Sequence, residues 1–132
     1  MIFETHAHYD DAAFDRDRDR LIELLKDEGI APIVNIGASL KSTKSTLELA
    51  HKYHNIYAAI GFHPTEMQEY KDAEYEWLEN HLNDEKVIAV GEIGLDYHWD
   101  ITTKEEQKAS FECQIKLAIK YNKPVIIHSR EI

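Results

Sequence analysis

Residues 87–93 read VIAVGEI, an unbroken apolar run interrupted only by Glu92. The run has the length of a strand, not of a helix. Its lack of polar alternation marks a strand covered on both faces. Four more runs of the same kind lie at 1–5, 32–37, 56–61 and 124–128. Amphipathic stretches separate them. Residues 14–28 place Leu21, Leu24 and Leu25 at helical spacing and stop at Gly29, and 42–53 carry Leu47, Leu49, Ala50 and Tyr53 behind a Ser/Thr-rich start suited to capping. Helical patterns at 75–82 and 104–121 complete the series. Strands alternating with helices, the strands apolar throughout, predict an α/β fold of parallel strands joined by right-handed crossovers. Five such strands build either an open doubly wound sheet or part of a (β/α)₈ barrel, and in both the chemistry gathers at the carboxyl ends of the strands. His6 and His8 follow the first run, His63 the third, Glu92 closes the fourth and His128 the fifth. No glycine-rich phosphate loop follows the first strand, which counts against a nucleotide-binding sheet.

The chain of 132 residues, 43% hydrophobic and 30% charged, supports one compact domain and lacks low-complexity tracts. No apolar run approaches the roughly 20 residues of a membrane span. The opening MIFETHAHYD lacks the basic and apolar regions of a signal peptide, so the expected location is cytoplasmic. Cys113 is the single cysteine, which excludes an intrachain disulfide, and it receives no role. A formal net charge of -10 repels a phosphate backbone and argues against sequence-specific DNA binding. It leaves phosphate chemistry open at a site holding two divalent cations, whose charge dominates the local field.

His6 and His8 stand two residues apart, and the alternation of an extended chain puts both imidazoles on one side, where they can chelate one ion. Two hydrogen-bonded histidines at a strand end are the plain alternative. Glu92 sits between apolar residues, with Gly91 and Gly94 permitting close backbone approach. A carboxylate there needs a cation, a metal or a raised pKa. His128 ends an apolar strand, as a ligand or as a structural histidine bonded to backbone. His63 precedes Pro64, which holds its backbone extended, and its neutral imidazole can donate to a substrate phosphate or pack in the loop. Arg130 suits an anionic substrate or a surface ion pair. Asp96 can orient a ligand histidine or bond the loop, while Tyr97, His98 and Trp99 can wall a pocket, stack on a base or simply pack. His51, His54 and His81 fall on or beside helices and read as solvated or packing residues. The DRDRDR run at 15–20 reads as a solvated helix face with local ion pairs.

Four segments, ETHAHYD at 4–10, GFHP at 61–64, GEIGLDYHW at 91–99 and PVIIHSRE at 124–131, together resemble, in order, the strand-end motifs of the TatD family of metal-dependent hydrolases in the amidohydrolase superfamily. The resemblance implies a TIM-type (β/α)₈ barrel, of which this chain supplies the first five strands and four helices. It implies two divalent ions, Mg²⁺, Mn²⁺ or Zn²⁺, and hydrolysis of DNA phosphodiester bonds without sequence specificity. Carried over by position, His6 and His8 bind the first ion, Glu92 bridges both and His128 binds the second. Glu92 and His63 are the expected catalytic groups, with Arg130, Tyr97 and Asp96 towards the substrate. Glu4 stands where the family usually has Asp. A complete barrel of this type needs roughly 250 residues, so residues 1–132 are expected to be a C-terminally incomplete domain, lacking the sixth-strand histidine and eighth-strand aspartate. Little hydrolase activity is expected of this chain alone, and open sheet edges, one of them the apolar PVIIH, invite self-association. Two other functions fit the same residues: hydrolysis of a C–N or C–O bond in a small molecule, and an inactive barrel fragment that retains partial metal binding.

Overall fold

The structure, a computed structural model describing residues 1–132, contains five strands: β1 (Ile2–Ala7), β2 (Ile30–Ile36), β3 (Ile56–Ile60), β4 (Val87–Asp96) and β5 (Val125–Arg130). Helices α1 (Arg18–Asp27), α2 (Leu40–Lys52), α3 (Asp72–His81) and α4 (Lys104–Lys120) fill the crossovers. All neighbouring strands pair in parallel, in the order β1-β2-β3-β4-β5. This order decides between the two architectures. A doubly wound sheet reverses at a switch point, whereas a barrel lays each strand beside the previous one. The chain is a half-barrel of five strands and four helices.

The main core lies between sheet and helices. Ile33, Ile56, Ile60, Val87 and Ile93 from the strands meet Ile22, Leu47, Leu78 and Leu117 from the helices. Val34, Ile36, Ala59 and Ala89 form a smaller cluster on the face turned away from the helices. On β5, Val125 and Ile127 are exposed at 36% and 55%, outside the reach of helices α1 to α4. No helix is long and apolar enough to cross a membrane.

Side-chain caps set the helix starts. Ser39 and Ser42 form a capping box on α2, and Thr103 and Glu106 form one on α4. The first helix departs from the pattern at 14–28. A 3₁₀ turn occupies Ala12–Phe14 and α1 begins only at Arg18, so the first half of DRDRDR lies in a turn. The cause is Arg18. Its guanidinium donates to the carbonyls of Tyr9, Asp10 and Asp11 and to Asp15 Oδ1, which ties down the turn ahead of the helix. Strand β4 runs three residues beyond 93 and β5 two beyond 128, so Asp96 and Arg130 are strand residues paired in register.

Candidate metal centre

Strand ends bring the predicted histidines and Glu92 to one place. Ile93 packs into the helix-side core, so its neighbour Glu92 turns to the opposite face. Its side chain keeps only 15% exposure, with Oε2 3.7 Å from His6 Nε2 and Oε1 3.2 Å from His128 Nδ1. Two groups with closely spaced ligand atoms result, His6–His8–Glu92 and His63–Glu92–His128, and Glu92 belongs to both.

Hydrogen bonds fix which nitrogens are free. His8 Nδ1 donates to the Ile36 carbonyl at 2.9 Å, which leaves Nε2 with its lone pair in a neutral ring. His128 Nε2 donates to Asp96 Oδ2 at 2.8 Å, which leaves the lone pair on Nδ1, facing Glu92. Asp96 is 2% exposed, and its Oδ1 accepts the His98 N–H at 3.0 Å. Burial pushes this carboxyl up, but the bonds from His128 and His98 outweigh it and hold Asp96 below the usual carboxylate range.

A neutral His128 therefore points a lone pair at a carboxylate oxygen, acceptor against acceptor, at 3.2 Å. Only a second ring proton or a cation between them reconciles the pair. With metal–ligand distances of about 2.0–2.2 Å, two adjacent ligand atoms lie about 2.8–3.6 Å apart, from octahedral to tetrahedral angles. The spacing of His128 and Glu92, and the mixed imidazole and carboxylate donors, fit a divalent ion.

His63 lies within ligand reach of the same pair, yet its hydrogen bonds differ. Thr65 donates its N–H to His63 Nδ1 at 3.2 Å, with the Thr65 hydroxyl at 2.8 Å, so a neutral His63 carries its proton on Nε2. Burial, and then the neighbouring His128, lower the His63 pKa and keep the ring neutral. Its ring centroid is 4.2 Å from that of His128.

The two glycines around Glu92 are spatial requirements. A Cβ on Gly91 would lie 2.7 Å from that of Ile126, and one on Gly94 would collide with the His128 carbonyl. Gly94 also has a φ of +146°.

Tyr97 and Arg130 stand outside both ligand groups. The Tyr97 N–H donates to the Arg130 carbonyl, Lys104 Nζ lies 4.7 Å from the Tyr97 ring centre, and the exposed Arg130 lies 5.9 Å from the Trp99 ring centre. His51 pairs with Asp84 at 2.6 Å and His81 stacks on Trp77, both away from the centre, while His54 is exposed. Burial pushes the Cys113 thiol up, away from reactivity.

Three buried amides around the site were not anticipated from sequence. Asn35 accepts the Tyr9 N–H at 2.6 Å and donates to Asp10 Oδ1 and Thr46 Oγ1, which braces the turn after His8. Gln107 and Gln114 bond the backbone at Asp96 and Phe62. Periodicity could have located the glutamines: positions 107, 110, 114, 117 and 118 form the buried stripe of α4.

Comparison with known proteins gives the family and the fold. The family model described as TatD related DNase matches residues 3–132, and the chain belongs to this TatD family. A Bacillus subtilis protein named as the uncharacterized metal-dependent hydrolase YabD is 40% identical over 131 residues, which cover 99% of this chain and 51% of the relative. The 3'-5' ssDNA/RNA exonuclease TatD of Shigella flexneri is 28% identical over 130 residues, 98% of this chain and 50% of that protein. The crystal structure of YjjV, a TatD homolog from Escherichia coli, superposes with a TM-score of 0.89 at 35% identity, covering 98% of this chain and 51% of that one. The chain thus spans about half the length of the relatives it matches.

Proposed function

We propose that the protein is a cytoplasmic hydrolase cleaving phosphodiester bonds of DNA, without sequence preference, at a centre of two divalent ions. The observation that carries the reading is the division of Glu92, one oxygen towards His6 and the other towards His128. In this reading His6, His8 and Glu92 hold one ion, and Glu92 and His128 the other. Divalent ions there would supply charge stabilisation at phosphoryl oxygens and an activated water. The remaining roles belong to the chain itself. Asp96 keeps His128 in the tautomer that offers Nδ1. His63, neutral and protonated at Nε2, donates a hydrogen bond to a substrate phosphate oxygen beside Glu92. Arg130, outside the ligand groups, attracts the next phosphate along the strand.

Calorimetric titration with Mn²⁺ tests the ligand assignment. His6→Ala should lose one equivalent and Glu92→Ala both; unchanged binding in both variants would sink it. Substrate class is tested separately, with single-stranded DNA, a phosphodiester chromogen and a panel of cyclic amides. Amide turnover without phosphodiester cleavage would reverse the substrate assignment and leave the ligands standing.

A further inference from the structure

We infer that Gln107 and Gln114 are positioning residues for the His63 and His128 side of the centre, with α4 acting as a ruler between the ends of β3 and β4. Each glutamine grips one residue by both of its backbone groups. Gln107 Oε1 accepts the Asp96 N–H at 2.8 Å, and its Nε2 donates to the Asp96 carbonyl at 2.8 Å. Gln114 Oε1 accepts the Phe62 N–H at 2.8 Å, and its Nε2 donates to the Phe62 carbonyl at 3.1 Å. The amides thus take the place of a neighbouring strand where the sheet ladder runs out.

The grip is rigid because each amide is fully engaged. The second Nε2 proton of Gln107 goes to Thr102 Oγ1 at 3.0 Å, and that of Gln114 to Ser110 Oγ at 3.1 Å. Both glutamines are only 1% exposed, so water does not compete for these bonds. They stand seven residues apart, almost two helical turns, and so occupy one face of α4 about 10 Å apart along the axis. Neither side chain touches the predicted ligands. What they hold lies next to the centre: Asp96 accepts from the predicted ligand His128 at Nε2, and Phe62 is the residue before His63.

The His6–His8 group has separate supports, the Ile36 carbonyl behind His8 and Asn35 behind the turn that follows it. Loss of the glutamine grip should therefore loosen one side of the centre and spare the other. A purely structural role would weaken the whole molecule evenly.

The inference rests on reading Glu92 and His128 as a ligand pair, so its first measurement needs no metal. Imidazole ¹H–¹⁵N correlation spectra of the metal-free protein report the tautomer of each histidine. In Gln107→Met the Nε2–H form of His128 should give way to a mixture while His8 keeps its Nδ1–H form; in Gln114→Met the His63 signal should shift instead. Gln107→Glu should return His128 to the parent state, because burial favours the neutral carboxyl, which reproduces both backbone bonds. Should the Met variants not fold, Thr102→Val and Ser110→Ala, which each remove one partner from a glutamine amide, should give the same changes more weakly. A His128 tautomer untouched by the changes at Gln107 and Thr102, a His63 signal untouched by those at Gln114 and Ser110, or a His8 signal altered as much as either, would overturn the inference. A Mn²⁺ titration then reads the consequence: affinity for one equivalent should fall about 10- to 100-fold and the other should hold. Parent protein that binds no Mn²⁺ while its tautomers respond as described would count against the metal reading and leave the positioning role in place.

Discussion

Asp96→Asn is a one-atom change at a buried residue outside both ligand groups, and its effect follows from the two bonds its carboxylate accepts. Oδ1 takes the His98 N–H at 3.0 Å and Oδ2 the His128 Nε2–H at 2.8 Å. An asparagine has one acceptor oxygen for these two donors. If its oxygen stays on His98, its NH₂ faces His128 Nε2, and the ring must move its proton to Nδ1, 3.2 Å from Glu92 Oε1. That proton occupies the nitrogen meant for the ion. If the amide turns round, its NH₂ opposes the His98 N–H. Either way a hydrogen bond to a charged group is lost, worth about 1.5–3 kcal/mol. At 1.36 kcal/mol per decade, that is about one to two orders of magnitude in affinity, the range seen when the group behind a ligand histidine is removed. Calorimetry with Mn²⁺ should show one equivalent weakened by about 10- to 100-fold and the other, held by His6 and His8, unchanged. Equal loss at both equivalents, or none at either, would refute the reasoning.

Three further outcomes are expected. Gly94→Ala combines a positive φ with a Cβ aimed at the His128 carbonyl, and should cost at least about 1–3 kcal/mol in urea unfolding; an unchanged midpoint would show that β4 and β5 can separate freely there. Burial raises Asp84, but the Lys86 N–H and the His51 ring outweigh it and hold its carboxyl below the ordinary range. That stabilisation is complete above the unfolded value of about 4 and fades as pH falls through the lower folded value. Asp84→Asn should therefore be less stable than the parent at neutral pH and converge with it in strong acid; a constant difference in thermal unfolding at all pH values would contradict this. The exposed Val125 and Ile127 on edge strand β5 should drive concentration-dependent association of the 132-residue chain in sedimentation velocity, relieved by Ile127→Lys; association that persists in the variant would place the contact elsewhere.

What could be read from sequence were features that depend on one strand at a time. Apolar runs gave the five strands, because burial on both faces leaves no polar alternation, and the strand-end histidines could be expected to meet, as they do around Glu92, because parallel strands share one carboxyl end. Whether the sheet was wound in order or doubly wound depends on pairing between strands, which no single run contains; the motif resemblance pointed to the barrel and the strand order established it. The start of α1 was misplaced since Arg18 binds carbonyls of Tyr9, Asp10 and Asp11, groups that every residue possesses and a sequence cannot distinguish. Asn35, Gln107 and Gln114 escaped for a related reason. A polar letter on an amphipathic helix or a strand reads as solvent-facing, and only the position of Gln107 and Gln114 on the buried stripe with Ser110, Leu117 and Ala118 marks them as interior. Asp96 was legible as a partner for a histidine, but which histidine it meets is set by β4 and β5 running to Asp96 and Arg130 in register.

Strands added in chain order have a consequence for how the molecule is made. Each strand finds its partner already in place as synthesis proceeds, so the sheet can grow by nearest neighbours behind the ribosome. The centre cannot grow that way. His6 waits for Glu92, which arrives with the fourth strand, and the acceptor pair of Glu92 and His128 exists only once the fifth has docked. A nascent chain therefore pairs four strands before the second of the two groups around Glu92 is complete, and until β4 arrives His6 and His8 stand without Glu92 on edge strand β1.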